Sequence, residues 1–129
     1  MTAERGAVHL TLVALLFAGV LMLGLAVDIA RFGAAWREAS HVASTAAETG
    51  AGWINRRTSR DGNLRLGQAQ AQAAASAVVD ASGYPGQVAT TGHRVCVTVH
   101  IDVHPTLLTI VGAGTKTVTS RACAEPRKG

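Results

Sequence analysis

From Ala7 to Val27 the chain carries no charged side chain. The stretch, AVHLTLVALLFAGVLMLGLAV, offers only His9 and Thr11 as polar side chains. A helix of that length, at about 1.5 Å per residue, measures roughly 31 Å, the thickness of a hydrocarbon core. A cleaved secretory signal has a shorter apolar region, about 7–15 residues, and a small-residue cleavage site. Leu25-Ala26 makes a poor site of that kind, so the run is predicted to be a retained transmembrane helix. No cysteine lies near it, which excludes a lipoprotein anchor. The run leaves about 100 residues of a 129-residue chain, room for one small domain.

That remainder is not built like an ordinary soluble enzyme. Aromatic residues make up only 4% of the chain, so few large side chains can fill a core. Charged residues make up 16%, too few for a disordered charged tail. The formal net charge is +4, and a basic balance can signal nucleic acid or anionic lipid. The basic residues are scattered apart from Arg56, Arg57, Arg60 and Arg65. That cluster has no interleaved aromatics and no DNA-binding motif. It is read as a solvated linker, and no nucleic-acid partner is expected.

The helix is expected to continue beyond the membrane. Asp28 to Trp53 has no proline and many alanines, and alanine is the best helix former. Asp28 and Arg31, three residues apart, form a candidate pair at the membrane exit. Trp36 falls in or just above the headgroup zone. Ala39, Val42, Ala43, Ala46, Ala47 and Gly50 make a narrow small-residue stripe that admits another helix. Gly50 and Gly52 mark the expected end. Arg56–Asn63 (RRTSRDGN) reads as a polar loop. Leu64–Ala81 reads as a second helix, with Leu66, Ala69, Ala73, Ala77 and Val78 on one face, antiparallel to the outer half of the first.

Further on, SGYPG (82–86) ends the second helix, and Val88–Thr91 suits a short edge strand. Val95–Val103 alternates strictly, with valines and Ile101 on one side and Cys96, Thr98, His100 and Asp102 on the other. This is a half-buried strand that Pro105 ends. Thr106–Gly114 reads as one apolar helical turn and a glycine loop, and Lys116–Cys123 as a second alternating strand. If Cys96 and Cys123 face each other on antiparallel strands, partner numbers sum to 219. Val97 then opposes Ala122, Val99 opposes Ser120 and Ile101 opposes Val118, all small or apolar. Thr98–Arg121, His100–Thr119 and Asp102–Thr117 share the polar face. A slip of one residue would invert both faces, so the pattern supports a Cys96–Cys123 disulfide. Disulfides persist outside the reducing cytoplasm. The flanking charges (Arg5 before the run, Arg31 and Arg37 after it) favour the opposite orientation by count. The six-residue N-terminal flank and the disulfide place the C-terminal part outside.

His100, Asp102 and His104 form an H-x-D-x-H run on one strand face, a pattern that can converge on a metal. His93 is a candidate fourth ligand. The plainer reading is a solvated strand face. No G-x-S-x-G nucleophile motif is present. Gly112-Ala113-Gly114 lacks the Lys-Ser/Thr of a phosphate loop. His9 is read as reaching the membrane interface and His41 as an exposed helix residue. No catalytic residue, cofactor or metal site is assigned, and the chain is not expected to be an enzyme.

Arg5-Gly6-Ala7-Val8, the apolar run, Val27-Asp28-Ile29-Ala30-Arg31 and the extension ASHVASTAAETGA (39–51) follow one another in a recognisable order. Together they resemble the TadE/TadG-like proteins of tight-adherence (Tad, or Flp) pilus assembly. The resemblance covers residues 4–52 most specifically and extends loosely to the pair of C-terminal strands. It implies a minor pilin-like or pseudopilin-like membrane protein working with other Tad-like subunits and assembly platform proteins. It also implies a prepilin peptidase cutting between Gly6 and Ala7. Pilin-type precursors carry Glu at the fifth position after the cut, where this chain has Thr11. That departure points to a member that keeps its leader and stays anchored.

The expected fold class is therefore α+β in a pilin-like layout. Residues 1–6 form a short leader or cytoplasmic flank and 7–30 a membrane helix. Residues 31–124 form an extracytoplasmic domain and 125–129 a tail. The expected role is non-enzymatic, through helix packing and protein contacts on the small-residue stripe and strand edges. The alternative is a membrane-tethered binding module using the His-x-Asp-x-His face, and a small anchored enzyme ranks last.

Overall fold

The computed structural model describes the backbone of residues 2–61 and 64–126, and the side chains of residues 6–54 and 67–126. Two helices come first: α1 (Thr2–Asp61) and α2 (Leu64–Ser82). Strands β1 (Gly86–Thr91) and β2 (Arg94–Val103) follow, then the short helix α3 (Leu107–Ile110) and strand β3 (Lys116–Ala124). The strands form one antiparallel sheet in the order β1-β2-β3. The chain is thus α+β, as its periodicities predict.

The long helix has two environments. Through the apolar run its large side chains, among them Leu10, Leu16, Phe17, Met22 and Leu23, are exposed. This segment is long and apolar enough to cross a membrane. From Ala39 onward one face is buried: Ala39, Val42, Ala43, Ala46, Ala47, Ala51 and Ile54. Val95, Val97, Val99 and Ile101 of β2 and Ala71, Ala75 and Val79 of α2 complete that core. The stripe of small residues is where it was expected on the helix, but it is filled from within the chain. It is not a free docking face, because the sheet and α2 both lie on it. Ser40 of α1 also meets Ser120 of β3, hydroxyl to hydroxyl at 2.9 Å.

Two expectations are corrected. α1 does not end at Gly50 or Gly52; it runs to Asp61, about 90 Å in all. Among the described residues, positive φ occurs only at Gly83, Gly92 and Gly112, so neither Gly50 nor Gly52 makes the left-handed turn of a helix stop. Gly50 instead permits close approach. A Cβ there would stand 2.9 Å from the carbonyl oxygen of Ala71 and 3.2 Å from the Cβ of Ala75. The segment expected as a loop from Arg56 is therefore helical to Asp61, consistent with the good helix propensity of arginine. The side chains of Arg56, Arg57, Arg60 and Arg65 lie outside the described residues.

The second correction concerns α2. It folds back along α1, but its buried face is Gly67, Ala71, Ala75 and Val79. Ala69, Ala73 and Ala77 are exposed and Val78 is half-buried, while the side chain of Leu66 lies outside the described residues. Alanines occupy both faces, so hydrophobicity alone does not choose between them. Close packing at Gly50 does. The helix ends as expected: Gly83 turns at φ +76° and its N–H donates to the Asp80 carbonyl at 3.1 Å.

The strand register agrees with the arithmetic of the cysteines. Cys96 pairs with Cys123, and Val97–Ala122, Thr98–Arg121, Val99–Ser120, His100–Thr119, Ile101–Val118 and Asp102–Thr117 follow. Cys96 and Cys123 form a disulfide. The valines and Ile101 of β2 face the core, while Asp102 is exposed and His100 half-buried.

Candidate functional site

The most densely bonded polar site among the described residues lies where the exposed and buried parts of α1 meet. Asp28 is 0% exposed. Its carboxylate accepts three backbone N–H groups: Thr106 at 2.8 Å, Leu107 at 2.9 Å and Leu108 at 3.1 Å. These are donors that the first turn of α3 leaves unpaired within its own helix, and a charged acceptor strengthens each bond. One turn along, the Arg31 guanidinium donates to the Thr106 hydroxyl, and the Thr109 hydroxyl donates to the Pro105 carbonyl. Asp28 and Arg31 therefore converge on the β2–β3 connection rather than simply on each other.

A glycine completes the junction. At Gly24, one turn before Asp28, the Leu107 side chain occupies the place a Cβ would take. A larger residue at that position would force the Leu107 side chain out of the notch. So α1 carries a notch (Gly24), a carboxylate (Asp28) and a guanidinium (Arg31) at intervals of four and three residues, all on the side facing α3.

The His-x-Asp-x-His face has a different character. His100 Nδ1 meets the Thr119 hydroxyl at 2.9 Å. The Thr117 hydroxyl donates to Asp102 at 2.5 Å, and the Thr115 hydroxyl meets His104 Nδ1 at 2.9 Å. His100 and Asp102 pair across β2 and β3, and His104 pairs with Thr115 just beyond the strand ends, rather than all three pointing at a shared centre. Among the described residues, no group of three or more His, Cys, Asp or Glu side chains is placed to hold a metal.

The remaining candidate residues are quickly placed. Gly6 and Ala7 lie within α1, two turns from its first residue or less. Thr11 satisfies itself, its hydroxyl donating to the Ala7 carbonyl at 2.9 Å, as a hydroxyl in an apolar helix can. Trp36 is exposed. At the tail, Glu125 accepts from Arg94 at 2.8 and 2.6 Å, a surface pair of small energetic weight.

No family model, curated protein or solved structure matches the chain.

Sequence reasoning marked Asp28 and Arg31 but missed their true partners, which are 75 to 80 positions away. One signal was available. A lone acid at the end of an apolar run must find donors, and Thr106-Leu107-Leu108 after a proline is a segment with N–H groups to offer.

Proposed function

We propose that this chain is a non-enzymatic, single-pass membrane protein of the minor pilin or pseudopilin kind, serving a Tad-type pilus assembly or secretion apparatus. The observation that carries the reading is the division of α1. Its apolar first half packs against almost nothing in the chain, and its second half is the spine of a disulfide-stapled α+β head. Such a helix suits a bilayer at one end and protein contacts at the other. The head faces the outside of the membrane, where its disulfide persists. Because the small-residue stripe is filled internally, contacts with sibling subunits fall to the apolar run and to the free edges of β1 and β3.

The test is gentle detergent extraction from native membranes followed by identification of what travels with the chain. The reading expects Tad-type pilin subunits or their assembly platform, with loss of that association when the apolar run is replaced. A chain that extracts without detergent, or that travels alone under every mild condition, contradicts it. Intact mass reads the leader at the same time. The Thr11 departure predicts that residues 1–6 are retained, and their loss would instead show a prepilin-type cut after Gly6.

A further inference from the structure

We propose that the β2–β3 connection, residues 105–114, is a second membrane contact: a short wedge seated in the outer leaflet beside α1. This rests on the reading of Ala7–Val27 as the span. If the span ends at Val27, Gly24 lies about 4.5 Å inside it. Leu107 fills the notch at Gly24, so α3 sits at the level of the lipid boundary rather than above it. The segment around it, Thr106–Val111, reads TLLTIV. Ile110 and Val111 are each 78% exposed, among the most exposed large apolar side chains of the head. On α1 at the same level, Leu23, Leu25, Val27 and Ile29 are exposed as well.

Backbone polarity is the usual objection to a loop at this depth, since unpaired N–H and C=O groups are costly in hydrocarbon. Here the connection is furnished against that cost. Asp28 takes the N–H groups of Thr106, Leu107 and Leu108. The N–H of Gly112 goes to the Thr109 carbonyl at 3.1 Å and that of Ala113 to the Leu108 carbonyl at 2.8 Å. The Thr106 and Thr109 hydroxyls are bonded to Arg31 and to the Pro105 carbonyl. The Arg31 side chain can keep the rest of its guanidinium at the headgroups while bonding Thr106. Two attachments, α1 and the wedge, fix the tilt and rotation of the head on the bilayer, which a single helix leaves free.

Spin labels report depth directly. A nitroxide is placed on a cysteine at Val111, at Leu16 within the run, or at Gln87 on the exposed edge of the head, with Cys96–Cys123 kept oxidised. Each protein is reconstituted into phosphatidylethanolamine and phosphatidylglycerol vesicles. Collision with oxygen, which concentrates in lipid, is compared with collision with a water-soluble nickel chelate. The proposal expects Val111 to resemble Leu16 in favouring oxygen, and Gln87 to favour nickel. An Ile110→Cys label provides a second reading should Val111→Cys fold poorly. Leu16 in lipid with Val111 in water overturns the wedge and leaves the span intact. Val111 shielded from both reagents overturns it in favour of a protein neighbour, such as a second copy. Leu16 in water overturns the span and the wedge with it.

Discussion

Reducing the Cys96–Cys123 bridge is expected to destabilise the head by about 3.5 kcal/mol in the chain-entropy model, because it opens a loop with a sequence separation of 27 residues. Few other single changes in this chain should do as much. The core is made mainly of alanine and valine, side chains that each bury little area. Small domains of this kind rely on covalent staples. The bridge also holds the edge strand β3 to the central strand β2 at the end remote from α3. Equilibrium denaturation in detergent, followed through amide exchange in β2 and β3, should show the loss. For a domain of about 100 residues it corresponds to a fall in Tm on the order of 15–25 °C. The paired variant Cys96→Ser/Cys123→Ser should reproduce it without reductant. A change below about 1 kcal/mol would mean that the unfolded head is already compact enough for the crosslink not to matter.

Replacing Asp28 is the second large effect. With Asp28→Leu, three part-buried N–H donors lose their acceptor at once, and a donor shielded from water and left unsatisfied costs more than an ordinary hydrogen bond contributes. The backbone of residues 106–108 should then detach from α1 to find water. Amide exchange at Thr106, Leu107 and Leu108 is expected to rise by on the order of 10- to 100-fold, while exchange along the β1–β2 pairing changes little. Asp28→Asn should fall between the two, since its single carbonyl oxygen can still accept but its amide group presents donors to donors. If exchange at these amides is the same in Asp28→Leu as in the natural chain, the carboxylate is not what holds the connection to the helix.

The parts of this fold that were legible in the sequence share a physical cause. Strand alternation is a period of two, and a one-residue slip reverses every face. Two cysteines therefore fixed the pairing of nine residue pairs in β2 and β3. The apolar run is legible because it is long and uninterrupted. What could not be read depends on packing between distant segments. Gly50 looks like a helix stop until α2 is seen lying against it. The face of α2 is undecidable from its alanines, and the exposure of Ala69, Ala73 and Ala77 follows from where α1 is narrowest. Asp28 shows the same limit at the candidate site. Its spacing to Arg31 suggested a local pair, whereas its strongest bonds run to a turn at the far end of the chain.

Amine labelling from outside tests the central claim, that the apolar run crosses the bilayer and leaves the head on the outer side. The chain has only two lysines, Lys116 and Lys128, both beyond the run, and one N-terminal amine before it. Cells with only the cytoplasmic membrane intact are treated with an amine reagent that cannot cross it, and the modified peptides are located by mass. The account predicts modification at Lys116, with the N-terminal amine reacting only after the membrane is opened. An N-terminal amine that reacts first while Lys116 stays protected, or equal reaction of both before opening, would contradict it.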